Sequence, residues 1–198
     1  MKKGIGVLIM MVMMANAQEQ DVAVISTTFG DIVIEFFPDV APKHVESFTT
    51  LANEMYFDGT TFHRVMPGFV IQGGDPNSKD EDRTNDGQGG RAGKYFGIGI
   101  DDDSTTWLIP EEFNNRPHNR GALSMARTND PNSASSQFFI CMDNVNQLDN
   151  KYTVFGMVIQ GMEVADKIVS AERDRMDNPL DRIEMNIRIV ARSAAIKE

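Results

Sequence analysis

Three short runs of this sequence set a polar side chain two residues from an apolar one: Phe62 and Arg64, Val70 and Gln72, Gln137 and Phe139. In an extended strand, residues two apart share a face. If the runs are neighbours, they build an apolar surface that carries one guanidinium and two primary amides, with no carboxylate inside any of the three. Such a surface suits an uncharged ligand containing amides. Arginine and glutamine hydrogen-bond a peptide backbone while aromatic rings take an apolar ring. The same surface is poorly equipped for hydrolysis. A structural alternative stands beside this reading: Arg64 pairs with one of the 29 acidic residues, and both glutamines satisfy local backbone.

Other chemistries find less support. His44, His63 and His118 lie far apart without ligand-like spacing, so no metal site is expected. Asp82, Thr84, Asp86 and Gly87 imitate the start of a calcium loop, but its twelfth position is Gly93 where a bidentate glutamate is needed. The glycines between Gly87 and Gly93 lack a following Lys-Ser/Thr, and serines 124, 133, 135 and 136 lack a Gly-x-Ser-x-Gly elbow. The single cysteine, Cys141, sits in the apolar run Phe138–Met142 and reads as a buried small hydrophobe.

The elements that must hold the three runs are mostly strands. Two β-branched runs flank Gly30-Asp31 from Val22 to Phe37, which predicts a hairpin. Pro42 opens a helix to about Asn53, on the spacing of Val45, Phe48, Leu51 and Ala52, with Asp39 as a possible cap. Strand-like runs follow at 60–65, 69–72, 122–127, 137–142 and 152–159, then a second helix over Met162–Ser170 and a strand with Ile183, Met185, Ile187 and Ile189 alternating inward. Many short strands with two separated helices predict a closed or nearly closed β-barrel, which removes exposed edges. Residues 77–107, rich in Gly and Asp, read as an insertion-like loop rather than a second domain.

The 198 residues are 41% hydrophobic and 24% charged, ordinary values for one globular domain. Residues 1–17 have the order of a secretory signal peptide: Lys2-Lys3, an apolar run from Ile5 to Met14, then Ala15-Asn16-Ala17. Ten apolar residues fall short of the roughly 20 a membrane-spanning helix needs. Cleavage after Ala17 would remove five of the 13 methionines and leave a periplasmic or secreted chain of 181 residues with a net charge of −12, and no stable membrane insertion. That charge disfavours nucleic acid, whose binding depends on cationic side chains.

The segments Phe62–Asp75, Gly121–Arg127 and Ser136–Ile140 together resemble the cyclophilin-type peptidyl-prolyl isomerases. The resemblance runs from about Val22 to Val190 and is interrupted by the long loop. It implies a mainly β fold, a closed eight-stranded antiparallel barrel capped by two helices, with the site on the barrel's outer face. It makes Arg64 the catalytic arginine. Phe69, Val70, Phe139 and Leu148 would line a proline pocket, and Gln72, Ala126, Arg127 and Gln137 would hold the peptide backbone. His63 would sit beside the site in a supporting role. Tyr152 stands where many members have histidine, Arg127 where many have asparagine, and Gln147 where the family usually carries Trp or Phe, giving a more polar rim. The implied activity is isomerisation of X-Pro bonds in proline-containing peptides and folding proteins, by a monomer with no metal, nucleotide or redox cofactor. The alternative is a proline-peptide-binding or chaperone-like module with little catalysis.

Overall fold

A computed structural model describes residues 20–196. The signal-like segment 1–17 lies outside the described residues. The hairpin forms as the pattern predicts: β1 (Asp21–Thr27) pairs antiparallel with β2 (Gly30–Phe36), and β1 pairs on its other side with the last strand, β9 (Glu184–Ala191). In β9 the period of two decides the faces, with Met185 and Ile187 buried while Glu184, Asn186 and Arg188 stay exposed.

The run at 60–65 is not one strand. It breaks at Phe62-His63 into β3 (Thr60–Thr61) and β4 (Arg64–Met66), and the two pieces join opposite ends of one sheet. With β5 (Val70–Gly73), β6 (Ala122–Met125), β7 (Phe138–Cys141) and β8 (Val154–Gln160), the strand order is β3-β9-β1-β2-β8-β6-β7-β5-β4. The result is a nine-stranded curled half-barrel and not the closed eight-stranded barrel expected. Closure fails because β3 pairs with β9 and β4 with β5, and the chain crosses between them without a ladder. Backbone groups at the crossing find loop partners instead: Phe62 N–H donates to the Ile183 carbonyl (3.0 Å) and Val65 N–H to that of Asp177 (2.8 Å). The break also turns Phe62 into the core, so it does not share a face with Arg64 as the spacing suggested.

Helix α1 (Pro42–Asn53) begins at its proline and buries Phe48, Leu51 and Ala52. Asp39 does not cap it. The cap position is Ala41, without a side-chain bond, and the orphaned N–H groups of Lys43 and His44 donate to the carboxylate of Glu112 at 3.1 and 3.0 Å. Glu112 also pairs with His44 Nδ1 at 2.7 Å, so a residue 68 positions away fixes the start of the helix. Asp39 instead meets Arg116.

Helix α2 (Met162–Val169) buries Val164, Ile168 and Val169 as predicted. It follows Gly161 at φ +92, where a Cβ would sit 2.2 Å from the Asp31 carbonyl oxygen, so only glycine fits. A short third helix, α3 (Arg192–Ala195), follows β9 and was not anticipated. The main core centres on Phe48, whose ring lies 5.1–5.7 Å from those of Phe36, Phe57, Phe138 and Phe155.

Residues 77–107 form short 3-10 turns, and the stretch between them is tied to α1 by Gly93 N–H donating to Ser47 Oγ (2.8 Å) and by the Arg91–Glu54 and Lys94–Glu46 ion pairs. Asp75, fully buried, organises them: its carboxylate accepts from the N–H groups of Asn77 (2.9 Å), Gly87 and Gly89 (3.1 Å). Asp82 caps the 83–85 turn, accepting from Thr84 N–H and Oγ1. Among the described residues no helix is long and apolar enough to cross a membrane.

Candidate active site

Three adjacent strands bring the singled-out residues together. Register places Arg64 of β4 opposite Gln72 of β5, and Gln72 opposite Phe139 of β7. Val70 and Phe139 belong to a small second hydrophobic cluster, apart from the main core, with Phe69, Ala126, Leu148 and Tyr152 packed on it. A cavity of about 210 Å³ opens there, lined by Arg64, Phe69, Val70, Gln72, Ala126, Arg127, Phe139, Leu148 and Tyr152. Its lining mixes aromatic and aliphatic side chains with the guanidiniums of Arg64 and Arg127 and the Gln72 amide. No carboxylate lines it.

The polar wall is wired in one direction. Arg64 Nη1 donates to Gln72 Oε1 (3.3 Å), Gln72 Nε2 to Gln137 Oε1 (2.9 Å), and Gln137 Nε2 to the Gly89 carbonyl (2.7 Å). The chain ends on backbone, so each amide orients the next, and the cation stands at the cavity.

The cyclophilin type peptidyl-prolyl cis-trans isomerase/CLD family model matches residues 22–190. The chain belongs to the cyclophilin family. This cyclophilin is 39% identical over 174 residues to the peptidyl-prolyl cis-trans isomerase ppi1 of Schizosaccharomyces pombe, covering 87% of this chain and 96% of that one. It is 37% identical over 167 residues to a probable peptidyl-prolyl cis-trans isomerase of Brucella abortus, covering 82% and 80%. A crystal structure of a Cryptosporidium parvum cyclophilin type isomerase superposes with a TM-score of 0.74 at 30% identity, covering 87% of this chain and 98% of that one. A second structure of that protein, in the presence of the dipeptide Ala-Pro, gives 0.73 at 31% identity, covering 87% and 99%. The chain is accordingly a peptidyl-prolyl cis-trans isomerase.

Nine of the residues singled out from the sequence line the cavity of this cyclophilin; three stand elsewhere. Gln137 lies in a neighbouring cleft beside Gln72, Gly89 and Arg127. His63 lies in a cleft on the far side of Arg64. Gln147 is exposed, outside the lining, and its carbonyl accepts from Lys151 Nζ. Arg127 lines the cavity without a free fork. Its Nε and Nη2 donate to the Lys151 carbonyl (3.0 and 2.6 Å), its Nη1 to that of Thr128 (2.7 Å), and its plane lies 4.4 Å from the Tyr152 ring centroid. It acts as a stiff wall.

Beneath the cavity lies an arrangement that spacing could not reveal. His118 is fully buried and stacks on Phe139 at 6.1 Å. Its Nδ1 meets Asp149 (2.9 Å) and its Nε2 meets Ser124 Oγ (3.0 Å), whose hydroxyl also donates to the Thr153 carbonyl (2.9 Å). An Asp-His-Ser series invites a hydrolase reading, but Ser124 is fully buried and faces no substrate. The network holds the Leu148–Tyr152 wall against the floor: His118 backbone and ring hydrogen bonds also keep the Asp149 carboxyl below the usual carboxylate range. Cys141 lies in the same cluster, fully buried, its thiol pushed up to about 12 by burial and secondarily by Asp149, which removes it as a nucleophile.

All three histidines are buried, and burial pulls each below the ordinary value of 6.5. Hydrogen bonds and charges from Glu112, Asp75, Asp86 and Asp149 oppose the pull without reversing it. A base with a lowered folded value binds fewer protons folded than unfolded. Stability is therefore undiminished above 6.5 and falls as pH drops below it, where the unfolded chain takes up protons that the folded one refuses. Denaturant midpoints should decline between pH 6.5 and 5.5, above the range where carboxylates titrate. His63→Leu should flatten that slope; an unchanged midpoint over this window would contradict the assignment.

Proposed function

We propose that this cyclophilin isomerises X-Pro bonds of proteins folding outside the cytoplasm, with Arg64 as its catalytic group. The observation that carries the chemistry is the guanidinium held by Gln72 in a cavity also lined by Phe69, Val70 and Phe139. Prolyl rotation makes and breaks no covalent bond, and its barrier of about 18–20 kcal/mol comes from amide resonance. The enzyme needs only to bind the twisted amide better than either planar isomer. Twisting localises a lone pair on the prolyl nitrogen, to which an Arg64 N–H donates. The apolar wall fixes the ring, and the Gln72 and Gln137 amides hold flanking carbonyls. A guanidinium keeps its charge at physiological pH, so the step needs no proton transfer.

The place of action rests on the segment Lys2 to Ala17, whose charge, apolar run and small residues have a leader's order. Uncatalysed X-Pro exchange takes tens to hundreds of seconds, slow enough to limit folding of exported chains. The full chain, expressed in a bacterial host and fractionated, should be recovered outside the cytoplasm with an intact mass that begins at Gln18. Recovery in the cytoplasm with residues 1–17 retained would overturn the exported role while leaving the isomerase chemistry untouched.

A further inference from the structure

The cleft on the far side of Arg64 holds groups that prolyl rotation leaves unused. It shares Arg64 and Gln72 with the proline cavity, and its other walls are the 83–88 turn and the 172–180 loop. A peptide seated on the cavity can therefore reach it.

Two side chains at this cleft carry buried polar atoms without a well-formed hydrogen bond among the described residues. His63 is 5% exposed and neither ring nitrogen makes a well-formed hydrogen bond, and Asp86 Oδ1 is equally unmet. Each such atom has lost its water without gaining a partner, a cost that a hydrogen-bonding visitor would relieve. His63 Nε2 faces the bare side of Gly87: a Cβ there would lie 3.6 Å from it, and φ +81 disfavours any residue that has one.

Two guanidiniums, Arg64 and Arg83, and two carboxylates, Asp86 and Asp174, line the cleft, and they differ in what each leaves free for a visitor. Arg83 is spent on tying the two walls together, donating to the carbonyls of Pro179 (2.6 Å) and Leu180 (2.5 Å). Asp86 Oδ2 makes a second tie, accepting from Asn178 Nδ2 (2.7 Å). Asp174 uses Oδ1 for the N–H groups of Met176 (2.7 Å) and Asn178 (3.0 Å). Buried Asp75 stands behind the turn. What remains for a visitor is acceptor capacity: the carboxylates of Asp86 and Asp174 and the lone pair of a neutral imidazole.

We propose that this cleft is a charge-selective subsite of the isomerase, which takes a lysine or arginine side chain of the client within two residues of the proline. A cationic side chain brings only donors, which match the unmet acceptors, and its aliphatic stem can lie along Met176, 80% exposed at the rim. A glutamate or aspartate there would face Asp86 and Asp174, with the Arg83 donors already held by the Pro179 and Leu180 carbonyls and Arg64 serving the prolyl nitrogen.

The subsite rests on the isomerase reading, and the test separates the two. Exchange NMR would be run on Ala-Pro peptides carrying Lys, Glu or Ala at each of the two positions on either side of the dipeptide. At one position or more, the wild-type rate with Lys should exceed that with Glu by about three- to tenfold, the range of partly screened ion pairs. That ratio should shrink toward one in Asp86→Asn and Asp174→Asn, and in the wild type at about 1 M salt, where the screening length is near 3 Å. The salt series needs no variant to fold. Enhancement on the alanine peptide with Lys and Glu equal at every position would overturn the subsite alone, as would a preference untouched by both variants and by salt. Failure to enhance exchange in any peptide would overturn the isomerase reading and the subsite with it.

Discussion

Arg64→Ala should lower the prolyl exchange rate of an Ala-Pro peptide by about a hundredfold or more, the usual consequence of removing one donor aimed at charge that develops only in the transition state. The loss should fall on catalysis rather than folding. Arg64 is half-buried, it donates to Gln72 Oε1 at 3.3 Å, and the rest of the amide chain is anchored on the Gly89 carbonyl without it. Arg64→Lys should recover little, because an ammonium lacks the planar fork that can hold Gln72 while donating to the prolyl nitrogen. Two-dimensional exchange NMR, which reads cis and trans proline signals directly, compares wild type and variants at equal enzyme concentration. Equal enhancement by Arg64→Ala would sink the catalytic assignment. Binding of the peptide by the wild type without enhancement would favour a proline-peptide-binding module instead.

Phe138→Ala should cost about 3–5 kcal/mol of stability, the range for a fully buried aromatic whose site cannot collapse. Phe138 is fully buried and meets Phe48, Phe57 and Phe62 edge-on, with ring centroids at 5.4, 5.9 and 6.4 Å. It also lies against the backbone at Gly74, so main chain as well as side chains surrounds the void. Against a total stability of about 5–15 kcal/mol, such a loss removes a large share. Urea denaturation should show a lower midpoint with an unchanged slope. A change below about 1.5 kcal/mol would mean that the aromatic cluster relaxes into the space. The neighbouring Phe139 points the other way, into the cluster under the cavity, so its truncation should damage the proline wall more than the core.

Much of the fold was legible because it depends on patterns of two and of three to four residues. The β1–β2 hairpin, the inward face of β9 and both main helices follow local alternation and spacing, which chain-local sterics enforce. The break at Phe62-His63 was not legible. Thr60 to Val65 reads as one continuous strand, and only the demand that β3 reach β9 while β4 reaches β5 splits it. Asp39 illustrates the same limit at a helix start. Its position suits a local cap, yet Glu112, 68 residues from His44, provides the acceptors.

For the site, sequence alone determined that Arg64, Gln72 and Phe139 sit on strands that could carry a peptide-binding face, and the three family segments named the chemistry. The absence of carboxylates from those runs holds for the cavity lining as well. Tertiary structure decided the rest: the relay from Arg64 to Gly89, the His118 network under Phe139, the displacement of Gln147 to the surface, and the unmet acceptors of His63 and Asp86. The physical reason is range. Strand faces and helix stripes are properties of neighbours along the chain, whereas a hydrogen-bond partner, a buried charge and a shared wall belong to residues 65, 31 or 92 positions apart that only the folded chain brings within 3 Å.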